Sequence, residues 1–255
     1  MNKAAFMFQI NAETAVSVRV EHHHARRGGY SIRLDSDGLR IIVPPNHGTT
    51  EAERYLERHR RWIEKRCRER RDAESALPKI AEGEFVPLWG GSRKISQAPP
   101  DIESPSFTES EFLYPHSAAG NQALMANHLA EAYIHEAGKT LKTLLKHRLQ
   151  EFAPLVKRVN LKEIKSRWGS CSAKGAISIS WRLVMAPPEV LEYLLTHELC
   201  HLIANGHGPK FWNEVAKRSP NYQNAKKHLR QHHFKLMNFP FPPGPPKTFV
   251  SFTPR

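Results

Sequence analysis

The chain has 255 residues, but none of its apolar runs approaches the ~18 residues of a membrane-spanning helix, which argues against a membrane partner. Its first residues, Met1–Ala15, carry a short apolar patch at Ala4–Ile10. They lack the charged start, long apolar core and cleavage site of a secretory signal, so a cytoplasmic location is expected. Cysteine is scarce: Cys67, Cys171 and Cys200 are odd in number and scattered, which excludes a disulfide framework and points to reduced thiols. Acids are also short, 25 Asp and Glu against 38 Lys and Arg, for a formal net charge of +13. Such a field attracts nucleic acid, nucleotides or other anionic surfaces, and it is equally the charge of a well-solvated basic exterior. No internal repeat is present.

Hydrophobic and charged fractions of 40% and 25% are those of an ordinary globular chain able to bury a full core. Short alternating runs at Thr14–Val20 and Tyr30–Val43 predict strands around an Asp35–Gly38 turn, and residues 1–12 read as loose. Thr50 to Ala73 has a helical period, with Tyr55, Leu56, Trp62 and Ile63 on its apolar side and a strongly basic remainder. A hairpin is predicted around Gly90-Gly91, with one or two short strands between Ile102 and Tyr114. Asn121–Phe152 predicts a long helix, kinked or broken near Gly138, and Pro154 ends it. Val156–Lys165 and Ala176–Trp181 read as strands flanking a compact loop, Ser166–Gly175. Helices follow at about 187–204, 209–217 and 221–236. The proline-rich end from Phe239 shows neither helical nor strand period. The class is α+β, with soft divisions at 1–116, 117–237 and 238–255.

The chemistry concentrates in His197-Glu198-Leu199-Cys200-His201 and the His207 that follows. Residues four apart on a helix share a face, so His197 and His201 can bind one ion. Glu198 lies about 100° round the helix from His197, where it flanks the ion and can take a proton from water. Catalytic zinc sites use three protein ligands and one open position, and His207 is the natural third. Asn205-Gly206 is expected to end the helix and turn the chain back. Leu191, Leu195, Leu199 and Leu202 form the opposite, core-facing stripe. Cys200 reads as a small buried hydrophobe.

Ahead of this helix, Lys165-Ser166-Arg167-Trp168-Gly169-Ser170-Cys171-Ser172 is unusual for a loop. Lys165 and Arg167 could grip a carboxylate or phosphate and Trp168 could stack on a base. The same residues also suit a structural hairpin with Trp168 in the core.

Lys165–Ser172, Ile177–Trp181, Ala186-Pro187, the His197–His201 motif, His207-Gly208 and Phe211-Trp212 together resemble the YgjP-like metal-dependent hydrolases, relatives of the SprT-like zincins. The resemblance is strongest over about 120–232 and reaches weakly into the N-terminal strands and Arg61-Trp62-Ile63. It implies a zincin-like catalytic domain, with an active-site helix and a small sheet, behind a β-rich N-terminal portion carrying one basic helix. It also implies His197, His201 and His207 as ligands of Zn2+ or another divalent transition metal, and Glu198 as general base. Peptidase and nucleoside triphosphate (UTP-type) pyrophosphatase activities are both implied, so the expected substrate is a peptide or a nucleotide. A third expectation is a zinc-stabilised nucleic-acid-binding module using the basic helix. The retained Glu198 speaks against that, because a purely structural site needs no base. The metzincin pattern is a poor match, since Ala204 stands where it requires glycine.

Overall fold

The computed structural model describes residues 5–22, 29–35, 38–75, 77–164, 167–241 and 250–253. They fall into two compact units, residues 1–76 and 77–255. Both mix helices with small mixed sheets, an α+β architecture. Among the described residues no helix is long and apolar enough to cross a membrane.

In the first unit, strands β1 (Ala5–Asn11), β2 (Thr14–His22), β3 (Ser31–Asp35) and β4 (Gly38–Val43) lie in the order β1-β2-β4-β3. The central pair is parallel and the outer pairs are antiparallel. Alternation puts Val18, Val20, Leu39, Ile41 and Val43 on one buried face. Helices α1 (Thr49–Arg58) and α2 (Arg60–Ser75) supply Ala52, Leu56 and Ile63 to the same core. Two expectations are corrected here. Residues 5–11 are not loose: Phe8 and Ile10 are buried in the sheet, while Met7 and Gln9 are exposed, and the apolar Phe6 and Met7 hide the alternation. The Thr50–Ala73 helix is two helices, parted at His59. There the His59 Nδ1 pairs with the Tyr55 carbonyl at 2.8 Å, and the His59 backbone N–H donates instead to Leu56.

The second unit opens with β5 (Phe85–Leu88), β6 (Gly91–Gln97), β7 (Ser106–Phe107) and β8 (Glu111–Tyr114), ordered β5-β6-β8-β7. The expected Gly90-Gly91 hairpin joins β5 and β6. Helix α3 (Gln122–Phe152) runs unbroken through Gly138, contrary to expectation. Tyr133, Ile134, Ala137, Leu141 and Leu145 are buried on both sides of that glycine. Their burial outweighs the ~1 kcal/mol that one interior glycine costs.

A further sheet carries β9 (Arg158–Lys162), β10 (Gly169–Cys171), β11 (Ala176–Ser180) and β12 (Val250–Phe252) in the order β10-β11-β9-β12. The expected Ser166–Gly175 loop therefore contains a strand, and Val250–Phe252, in a tail that showed no strand period, pairs antiparallel with β9. Both segments are three residues long, too short for alternation to register.

Helices α4 (Pro188–Cys200), α5 (Pro209–Arg218) and α6 (Tyr222–Met237) complete the unit. Helix α4 packs against α5, α6, β10 and β11, with α3 also touching it. Leu191, Leu195 and Leu199 are fully buried, each contributing about 1.5–3 kcal/mol of apolar burial. Buried Arg182, in the 3-10 turn before α4, ties this layer together. Its Nε donates to Glu163 at 2.9 Å, and its Nη1 donates to the carbonyls of Leu236 and Phe239, at the end of α6. The guanidinium also lies 5.1 Å from the ring centroids of both Trp181 and Phe241.

Candidate metal centre

Helix α4 starts at Pro188, with Glu189 in its first turn, where proline's missing N–H and a negative charge are both favourable. It ends at Cys200, earlier than the expected Asn205-Gly206. His201 is the C-cap and keeps right-handed helical angles, so its ring still stands one turn from His197. A short turn follows, and Gly206 takes a φ of +72°, a left-handed conformation that glycine adopts freely. The chain then reverses into α5, bringing His207 over α4.

The three histidines converge. All their ligating nitrogens lie within 4.8 Å of one another, and the Nε2 atoms of His197 and His207 are 3.2 Å apart. Two nitrogens bonded at about 2.0–2.1 Å to a tetrahedral zinc would stand about 3.3 Å apart. The separation therefore fits the ion, and three imidazoles form a donor set suited to zinc and its first-row neighbours over magnesium or calcium. Phe211 of α5 wedges the cluster, stacking on His201 at 4.5 Å and meeting His197 and His207 edge-on, each at 4.9 Å. Burial, reinforced by the neighbouring His201 and His207, lowers the His197 pKa to about 4. The ring is thus neutral at neutral pH, as a ligand must be. Its Nδ1 is buried and has no hydrogen-bond partner among the described residues.

Glu198 is 4% exposed. Burial pushes its pKa up to about 7, and the nearby positive charge of Arg167 opposes that rise. The carboxyl is held against the edge strand β10. A Cβ on Gly169 would stand 2.6 Å from its Oε1 and 3.0 Å from its Cγ, so a side chain there would displace the carboxyl. Gly169 thus marks a close approach of the two elements. Tyr193, one turn before His197, meets that ring edge-on at 5.8 Å, and burial raises its hydroxyl pKa to about 12.

The remaining expected site residues are placed unequally. Arg167 is exposed beside Glu198. Trp168 is half-buried, with its ring edge-on to His233 of α6 at 5.5 Å and its carbonyl accepting from the Ser180 N–H. Lys165 lies outside the described residues. Cys200 is fully buried, and that burial raises its thiol pKa to about 11.

Other groups around the histidines had no role assigned from the sequence. Trp212 tilts against His197 and His207 at 5.8 and 5.9 Å and stacks on Tyr222 at 5.4 Å. The Lys226 ammonium sits 4.1 Å over the Trp212 ring centroid. Phe211-Trp212 was visible as a family-like pair, but nothing set Lys226 apart from its neighbouring lysine.

A family model described as YgjP-like, metallopeptidase domain, matches residues 29–232. No curated protein and no solved structure matches the chain.

Proposed function

The chain belongs to the YgjP-like family of metal-dependent hydrolases, and on that footing we propose that it is a zinc metallopeptidase of zincin type. In this reading His197, His201 and His207 hold the ion and Glu198 is the general base. The observation that carries it is the convergence of three imidazoles beside a buried carboxyl that is fitted against a sheet edge.

When bound, a divalent ion here supplies Lewis acidity, polarising a substrate carbonyl and bringing water's pKa towards neutrality. The protein's own groups do the rest. The Glu198 carboxylate takes the proton of the attacking water and returns it to the departing amide nitrogen. Its raised pKa matches that double duty near neutral pH. Gly169 leaves room for the carboxyl and fixes where it stands.

What favours a peptide over a nucleoside triphosphate is the neighbouring strand. β11 is interior and hydrogen-bonded on both sides. β10 pairs only with β11 among the described residues. Glu198 lies against its face at Gly169, and its other edge can receive an extended peptide as an added strand.

The test is a screen of the zinc-loaded protein against unfolded casein and nucleoside triphosphates, with and without chelator. Chelator-sensitive peptide cleavage that Glu198→Gln abolishes while zinc stays bound is the expected result. Chelator-sensitive hydrolysis of triphosphates alone would replace the peptidase reading with the nucleotide one. Full turnover by Glu198→Gln would remove the general-base role.

A further inference from the structure

The ligand cluster and its base do not use two exposed cations that stand at the site. The first is Lys226. Its ammonium rests on the face of Trp212, and that ring packs against both His197 and His207. It has no carboxylate partner among the described residues. The second is Arg167, exposed and two residues before the glycine that receives Glu198.

Helix α6 links the two positions. Tyr222, Lys226 and His233 fall within about 40° on one side of the helix. Tyr222 and Lys226 meet Trp212, while His233 meets the edge of Trp168, the residue after Arg167. This side of α6 therefore forms a wall from Trp212 to Trp168, with one cation on it and another where it meets the β10 segment.

We propose that Lys226 is a specificity-determining residue that selects a peptide with an acidic side chain next to the scissile bond. The inference rests on the peptidase reading above. A lysine held over an indole loses some conformational freedom before binding and keeps its N–H donors for an incoming oxyanion. Near a divalent ion a lone cation is repelled, so placing Lys226 there without a protein carboxylate to neutralise it leaves the substrate to bring the negative charge. A structural reading, in which Lys226 only shields Trp212, requires packing but no charge, and the two readings separate on that point.

The experiment uses the full chain loaded with zinc and matched peptides carrying Glu, Gln or Lys on either side of one cleavable bond. The Glu peptide is expected to show about tenfold higher kcat/KM than the Gln peptide, the scale of one charge-assisted contact. Lys226→Met keeps an aliphatic stem on Trp212 and should bring that ratio close to one. Lys226→Glu should move the preference to the Lys peptide. A binding arm uses the Glu198→Gln variant and fluorescein-labelled peptides. Anisotropy should show the same tenfold difference, shrinking with added salt and vanishing in the Lys226→Met background. Equal cleavage of the three peptides would overturn the inference and leave the peptidase standing. Chelator-sensitive cleavage of none of them, nor of casein, would overturn both. A preference for the Glu peptide that survives both Lys226 substitutions would assign the selection elsewhere and refute the role of Lys226.

Discussion

Replacing Glu198 with Gln should make the metal-free protein more stable at pH 8 while removing its activity. The carboxyl is 4% exposed and its pKa is raised from 4.5 to about 7 by burial. The folded state thus holds a proton between those values that the unfolded chain releases. Stability then falls as pH rises through this window, because the native state binds more protons there. A pKa raised from 4.5 to about 7 makes the ionised carboxylate cost about 3 kcal/mol above pH 7. Gln has the same shape and no charge, so it avoids that cost. At pH 4, where Glu198 is neutral, the two proteins should be nearly equal. Urea unfolding followed by tryptophan fluorescence is a suitable assay. Trp89, Trp168, Trp181 and Trp212 all lie in the unit that carries the site, and Trp62, in the other unit, is already 41% exposed. With an m value of about 3 kcal/mol/M, the Gln variant's midpoint should exceed the wild type's by about 1 M at pH 8. One equivalent of zinc should shrink the gap, since a nearby dication favours the charged carboxylate. Midpoint differences that are the same at pH 4 and pH 8 would refute the argument that burial sets this group's charge.

Gly169→Ala should leave zinc bound, as measured by elemental analysis, and lower kcat about 100-fold, because its Cβ falls 2.6 Å from Oε1 of the base. Wild-type kcat in that variant would mean the carboxyl's position is not critical. His201→Ala removes one of three converging nitrogens and should lose the metal on dialysis, and full occupancy would dismiss the proposed ligand set. Arg182→Met should cost about 3–5 kcal/mol in urea unfolding, since it strands the half-buried Glu163 carboxylate, whose Oε2 already lacks a hydrogen-bond partner among the described residues. A change below 1 kcal/mol would show that apolar packing, and not this ion pair, joins the end of α6 to the turn before α4.

How much of this was legible beforehand depends on distance along the chain. His197, Glu198 and His201 share one helix, and helical period alone puts them together. His207 is only six residues further on, so a turn suffices to return it. The strands with four or more residues and clear alternation, such as β2, β4 and β11, were likewise readable. The break at His59 was not, because it depends on one ring taking a carbonyl from its own helix. The continuity of α3 through Gly138 was also hidden, because it depends on what packs against the helix on either side.

The groups that bear on substrate were the least legible, and for a physical reason. Gly169 matters because Glu198, twenty-nine positions later, occupies the space of its missing side chain. Lys226 matters because Trp212 comes beneath it from another helix. Neither relation leaves a periodic trace, since each is made by elements that meet only after α4, α6 and β10 have packed. Proton chemistry was readable because its parts are neighbours on one helix. Selection was not, because it belongs to the wall between two helices and a strand. The Lys226 charge swap therefore tests more than one residue. If reversing that charge reverses the preferred peptide, then recognition at this site is written in the tertiary contacts of α6, and chains sharing the His-Glu-x-x-His segment need not share a substrate.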